Sequence, residues 1–186
     1  MPEALKTLSD RGNLIVILFA VFLFLRLFVS YDSVLLAADH LKFLETAKNF
    51  PSHTLYNGQL YLLHPPFYPY TIHFFGLVFH DDYTAAVFIS IISAVITFFV
   101  LYHLFMMLTK NFPLTFLILI IFTLSDSFIV SSREALRESF VIMLIISSIY
   151  FYIRGIKLGH KLSIAAATAI GSMLALASDH VIFLIP

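Results

Sequence analysis

The sequence predicts an all-α integral membrane protein, a polytopic helical bundle. Of its 186 residues, 60% are hydrophobic and only 12% are charged, whereas about a quarter of a soluble domain is charged. The mean hydropathy is +0.95, and the apolar residues gather into runs near the roughly 20 residues that a spanning helix needs.

Five runs are predicted to cross a bilayer: about Leu14–Ser30, Thr84–Leu108, Pro113–Val130, Arg137–Tyr152 and Leu162–Ser178. The last two are slightly short, which packing in a bundle tolerates. The first follows Lys6 and Arg11 as a signal peptide would. It has no small-x-small cleavage site and more spans follow it, so it reads as a retained helix. Beyond Asp179 and His180 a new apolar run opens at Val181 and stops at Pro186. A helix cut off after one turn has no physical sense, so residues 1–186 are predicted to be the N-terminal part of a longer transmembrane domain.

Charge orients the bundle, because Lys and Arg concentrate on the cytoplasmic side. With the N-terminus cytoplasmic, the inner segments hold Lys6, Arg11, Lys110, Arg154, Lys157 and Lys161 against only Glu3 and Asp10. The outer side then carries five basic and nine acidic residues, net +4 inside and −4 outside. The reverse topology would place the acids inside, so the N-in orientation is predicted.

Several function classes lack their signatures. A formal charge of zero provides no basic field for nucleic acid. Without cysteine there is no disulfide, thiolate nucleophile or Cys-ligated zinc. No nucleotide-binding glycine loop and no G-x-S-x-G occurs, and the eight histidines form no H-E-x-x-H or close pair. No cofactor is indicated, and a divalent metal finds no support.

The one long non-spanning stretch, the predicted outer loop from Tyr31 to Tyr83, is of a length usually reserved for function. Leu36, His40, Phe43, Ala47 and Phe50 share one helical stripe, and Lys42, Glu45 and Lys48 the opposite face. That pattern predicts an amphipathic helix in the membrane interface. A second apolar piece, about Pro66–Phe79, is too short to span and reads as another interfacial helix.

Asp39 lies beside the apolar stripe, away from the Lys42–Glu45–Lys48 face. Desolvation there would raise its basicity; otherwise it is an interfacial acid paired with Lys42 or Lys48. Asp32, its rival, directly follows the first span and suits an exposed helix end. His64-Pro65-Pro66-Phe67-Tyr68 predicts a rigid extended corner before a helix, with His64 either a site group or an interfacial polar residue. Ser131 and Glu134 have capping-box spacing at the predicted start of the fourth span. Arg133 and Arg137 are then i,i+4 neighbours on one face. Such a pair beside free backbone N–H groups makes either a phosphate seat or a solvated helix start. Asp126 falls inside the third span, where an acid is functional, snorkelling or paired. For Arg26, one turn from the outer end of the first span, snorkelling suffices. Asp179-His180 reaches the same outer face.

These features resemble the membrane glycosyltransferases of the GT-C fold, and most closely the protein O-mannosyltransferases and the transferases that put aminoarabinose on lipid A. In that superfamily the first span leads to an outer loop with Asp-Glu, an aromatic and Ala-Arg or Ala-Lys. The corresponding run here is Asp39-His40-Leu41-Lys42-Phe43-Leu44-Glu45-Thr46-Ala47-Lys48. An Asn-Gly, an aromatic and Pro-Pro follow in the family, and Tyr56-Asn57-Gly58, Tyr61 and His64-Pro65-Pro66-Phe67-Tyr68 follow here. Two positions depart from the pattern: His40 replaces the usual Glu, and Leu63 stands where some relatives carry an acid.

The resemblance implies a GT-C-type bundle with interfacial helices in its first outer loop and an active site on the extracytoplasmic face of the cell membrane or endoplasmic reticulum. Asp39 matches the catalytic aspartate. The implied donor is a polyprenyl- or dolichyl-phosphate sugar, held by Arg133 and Arg137, and the acceptor is a protein, lipid or glycan. His40, His64, Tyr68, Glu138, Asp179 and His180 are expected to line the site. A non-catalytic membrane protein and a lipid or sugar transporter are the other classes; against the transporter, the ionisable residues gather at one face rather than the midplane.

Overall fold

A computed structural model describes residues 3–28, 38–51, 66–133 and 136–177, without the side chains of residues 3–9 and 38–40. Among them the chain forms eight helices and no strand: α1 (Glu3–Phe28), α2 (Ala38–Lys48), α3 (Phe67–Phe79), α4 (Asp82–Thr109), α5 (Phe112–Leu124), α6 (Asp126–Arg133), α7 (Arg137–Leu158) and α8 (Lys161–Ala175). Asp10–Phe28, Asp82–Thr109 and Arg137–Leu158 are each long and apolar enough to cross a membrane, and α5 with α6 together are as well, as a broken span or a re-entrant loop. The fold is thus an all-α, polytopic membrane bundle. Helix α8, where the fifth span was expected, has 15 residues.

The helix ends follow local chemistry. Asp81 caps α4, its carboxylate accepting from Thr84 N–H at 2.8 Å, and the Thr84 hydroxyl and N–H hold that carboxyl below its usual range. Asn111 caps α5 by accepting from Leu114 N–H at 3.1 Å. Gly159, at φ 65°, closes α7 in the left-handed region that glycine enters without strain.

Lipid is as apolar as leucine, so close packing and polar contacts hold membrane helices together. Helix α4 is built for that, burying Ala85, Ala86, Ser90, Ser93, Ala94 and Thr97 toward its neighbours. Ser93 and Thr97 donate back to carbonyls of their own helix. Two cores result. One joins Phe22, Phe98, Leu119 and Phe122 of α1, α4 and α5; the other joins Phe43, Tyr68, Ile89 and Phe140 of α2, α3, α4 and α7. Large apolar side chains such as Phe28 and Val78 stay exposed, as lipid-facing residues must.

The expected third span is not one helix. Leu124-Ser125-Asp126 breaks it, with Ser125 extended at φ −69°, ψ 118° and a bend of 57°. Ser and Asp favour such breaks because their side chains compete for backbone groups and prefer helix starts. Asp126 is the exposed first residue of α6, where a carboxylate suits the helix dipole. Arg26 also differs from the expectation. It does not snorkel; it is 1% exposed, between α1 and the break.

Candidate functional site

The helices run so that α2, α3, the break, the α6–α7 junction and the C-terminal end of α8 gather at one end of the bundle. The opposite end carries Arg11, whose guanidinium lies over Phe112, and Lys157, which donates to Met107 O at 3.0 Å. Of the predicted site residues, Tyr68, Arg133, Arg137 and Glu138 fall at the first end.

Helix α2 places the Asp39 and His40 backbones in its first turn; their side chains, and all of Asp32, His64, Asp179 and His180, lie outside the described residues. One turn after Asp39, Phe43 is 2% exposed and meets the edge of Tyr68 at 5.4 Å and 89°. The Arg137 guanidinium lies 5.6 Å from the centre of the Phe43 ring. Tyr68 in turn lies against Phe140, the rings tilted at 42° with centres 5.6 Å apart. The helix expected to carry the base, the Pro-Pro corner and one predicted phosphate arginine are therefore joined through one aromatic residue. Sequence reasoning placed Phe43 on the apolar stripe but missed this bridge. Its signal was the i,i+4 spacing from Asp39.

Tyr68 is fully buried. Burial pushes its hydroxyl well up, the Ser90 hydroxyl opposes that, and Glu138 adds to it. Among the described residues no hydrogen bond of good geometry closes on Tyr68 Oη; the Ser90 hydroxyl proton is shared between Ala86 O at 3.0 Å and Leu136 O at 3.2 Å. The second of these ties α4 to the α6–α7 junction. Glu138 is exposed beside it.

Arg133 and Arg137 reach this end by a different geometry from the one expected. They are not on one helical face: Arg133 ends α6 and Arg137 begins α7. Nor does Ser131 begin a capping box. Ser131 and Ser132 sit in the closing turn of α6 and donate to Phe128 O and Ile129 O, while α7 starts at Leu136 without a side-chain cap. Ser131 already belongs to the last turn of α6, so its hydroxyl turns back along that helix. Ser139 Oγ then donates to Ser131 Oγ at 3.3 Å, pinning the two helices together. Arg133 Nη1 is buried with no hydrogen-bond partner among the described residues, which leaves a strong donor at the junction.

Phe67 N–H donates to Leu176 O at 3.2 Å, bringing the end of α8 to the start of α3. Among the described residues no three His, Asp or Glu side chains are grouped to hold a metal. A groove of about 520 Å³ lined by Ser148, Tyr152 and Thr168 opens between α7 and α8. It starts eleven residues along α7 from Arg137, roughly 16 Å away at the helical rise, and holds no charged group.

A family model described as dolichyl-phosphate-mannose-protein mannosyltransferase matches residues 63–186, from just before α3 to the last residue. No curated protein and no solved structure matches the chain. The match covers two thirds of the sequence, including Tyr68, Arg133 and Arg137, and begins after α2. The chain belongs to the dolichyl-phosphate-mannose-protein mannosyltransferase family, and is a multi-pass membrane glycosyltransferase of the GT-C type.

Proposed function

We propose that this protein moves a sugar from a polyprenyl- or dolichyl-phosphate donor to an acceptor hydroxyl at the extracytoplasmic face of the membrane. The observation that carries the reading is the convergence, at one end of the bundle, of α2 with Asp39, the Tyr68–Phe43 platform and the two arginines at the α6–α7 junction. The family's description names a dolichyl-phosphate sugar as donor, which supports the lipid-phosphate class. Grouping of Arg11, Lys110, Lys157 and Lys161 toward the other end supports the N-in orientation. Nucleotide sugars are cytoplasmic, so a site on the far face calls for a donor carried by a lipid.

The reaction is an inverting displacement. Asp39 takes the acceptor proton as the hydroxyl oxygen bonds to the anomeric carbon. The bond from that carbon to the phosphate oxygen breaks, and the lipid phosphate leaves with the electron pair. Arg133 and Arg137 neutralise the charge that builds on the phosphate. His40, His64, Glu138, Asp179 and His180 complete the lining.

Asp39→Asn in the full-length protein tests this. The amide keeps shape but not basicity, so insertion survives and transfer falls by about 10²–10⁴. Asp32→Asn, whose place in the sequence suits only a helix end, retains most activity. Near-normal transfer by Asp39→Asn, or an equally inactive Asp32→Asn, refutes the assignment.

A further inference from the structure

Arg26, in the last turn of α1, is buried where a membrane helix ordinarily excludes charge. Its Nη1 donates to Phe22 O at 3.3 Å and to Thr123 O at 3.4 Å, and Nη2 donates to Phe122 O at 3.4 Å. The guanidinium lies 3.7 Å from the centre of the Phe22 ring and 5.5 Å from that of Phe122. Phe122 and Thr123 lie in the last turn of α5, which ends at Leu124 before the break. Ser125 N–H still returns to Ile121 O, but the donors next in line, Asp126 and Ser127 N–H, open α6 instead. In a bilayer, a broken helix persists only where protein groups satisfy the carbonyls it frees. A cation at the C-terminal end of α5 also meets the negative end of its dipole. The planar fork of arginine reaches two adjacent carbonyls while stacking on a ring, which the point charge of lysine does not.

Helix α1 packs on both α5 and α6, and α6 is held at its far end by the Ser139–Ser131 hydrogen bond and carries Arg133. We propose that Arg26 is a positioning residue that locks the α5–α6 break and so sets the direction in which α6 presents Arg133 to the site. The consequence for catalysis rests on the phosphate role proposed for Arg133; the lock itself does not.

The 186 residues contain no cysteine, so introduced pairs report without background from these helices, and any cysteine elsewhere in the full-length protein is replaced by serine first. Ser131→Cys with Ser139→Cys places two thiols where hydroxyls stand 3.3 Å apart, across α6 and α7. In the full-length protein in detergent, the rate of disulfide formation is read as loss of maleimide-reactive thiol. A second pair, Ser148→Cys with Gly171→Cys, joins α7 to α8 away from the break, where a Cβ at Gly171 lies 3.6 Å from Ser148 Oγ. Arg26→Met should slow the 131–139 pair by about tenfold, the worth of one charge-assisted hydrogen bond, and Arg26→Lys should slow it less. Neither should change the 148–171 pair. Unchanged 131–139 rates in both variants overturn the lock. So does a parallel fall of both pairs in Arg26→Lys, which would make Arg26 a general prop of the bundle. If Arg26→Met fails to fold, Arg26→Lys alone decides: a selective fall supports the lock and no fall overturns it. Because the readout is independent of sugar transfer, an inactive enzyme with an intact break would count against the reading of Arg133 and not against Arg26.

Discussion

Phe43 is predicted to be the residue that couples the helix of the proposed base to a proposed phosphate arginine, and the coupling is measurable. Phe43→Leu keeps an apolar group in a site that is 2% exposed, so little cavity forms, but the ring contacts disappear. The edge-on pair with Tyr68, at 5.4 Å, is worth about 0.5–1.5 kcal/mol. The Arg137 guanidinium stands at 5.6 Å, near the limit of about 6 Å for a cation–π contact, which puts that term at about 0.5–1 kcal/mol. The substitution should therefore destabilise the protein by about 1–2.5 kcal/mol. A double-mutant cycle of Phe43→Leu with Arg137→Ala, by reversible unfolding in mixed micelles, separates the two terms. It should return a coupling of about 0.5–1 kcal/mol, whereas Phe43→Leu with Lys161→Ala, at the far end, should simply add. A Phe43–Arg137 coupling below about 0.3 kcal/mol, within the scatter of independent sites, refutes the bridge.

Two further outcomes are expected. Gly76 packs so closely on the start of α4 that an added Cβ would meet Asp82 Oδ1, which must swing away; Gly76→Ala should therefore fall short of the roughly 1 kcal/mol that alanine ordinarily gains over glycine within a helix, Asp82→Ala should restore that gain, and a full gain in Gly76→Ala alone would contradict the close approach. Lys48 and Lys161 are both exposed; with cysteine at each in turn, an impermeant thiol reagent applied outside intact cells should label 48 and not 161, and the reverse pattern would overturn the orientation together with the lipid-phosphate donor argument.

How much was legible in the sequence depended on whether one face of one helix decided the matter. Hydropathy alone marked α1, α4 and α7, because a spanning helix must be apolar along its whole length. The amphipathic stripe marked α2, and its buried members Phe43 and Ala47 are the ones the periodicity selected. The Pro-Pro corner placed the start of α3 within a residue. What failed were inferences that needed a partner from elsewhere in the chain. Arg133 and Arg137 have the spacing of helical neighbours, and only the junction between α6 and α7 puts them on separate helices. Ser131 has the spacing of a cap, yet the hydroxyl belongs to the end of the preceding helix.

Arg26 and the break illustrate the same cause most fully. Each taken alone has an ordinary explanation: a cation near a helix end snorkels, and a Ser-Asp pair within an apolar run is tolerated. Their meaning is joint, since the break frees the carbonyls of Phe122 and Thr123 and the arginine donates to both. The residues lie 96 and 97 positions apart, beyond any local periodicity. A sequence signal did exist in the form of an unmatched charge in one span and an unmatched helix-breaker in another. In a medium without water, two such local costs persist together when each satisfies the other, so an unexplained cation in one span is reason to search the remaining spans for freed carbonyls.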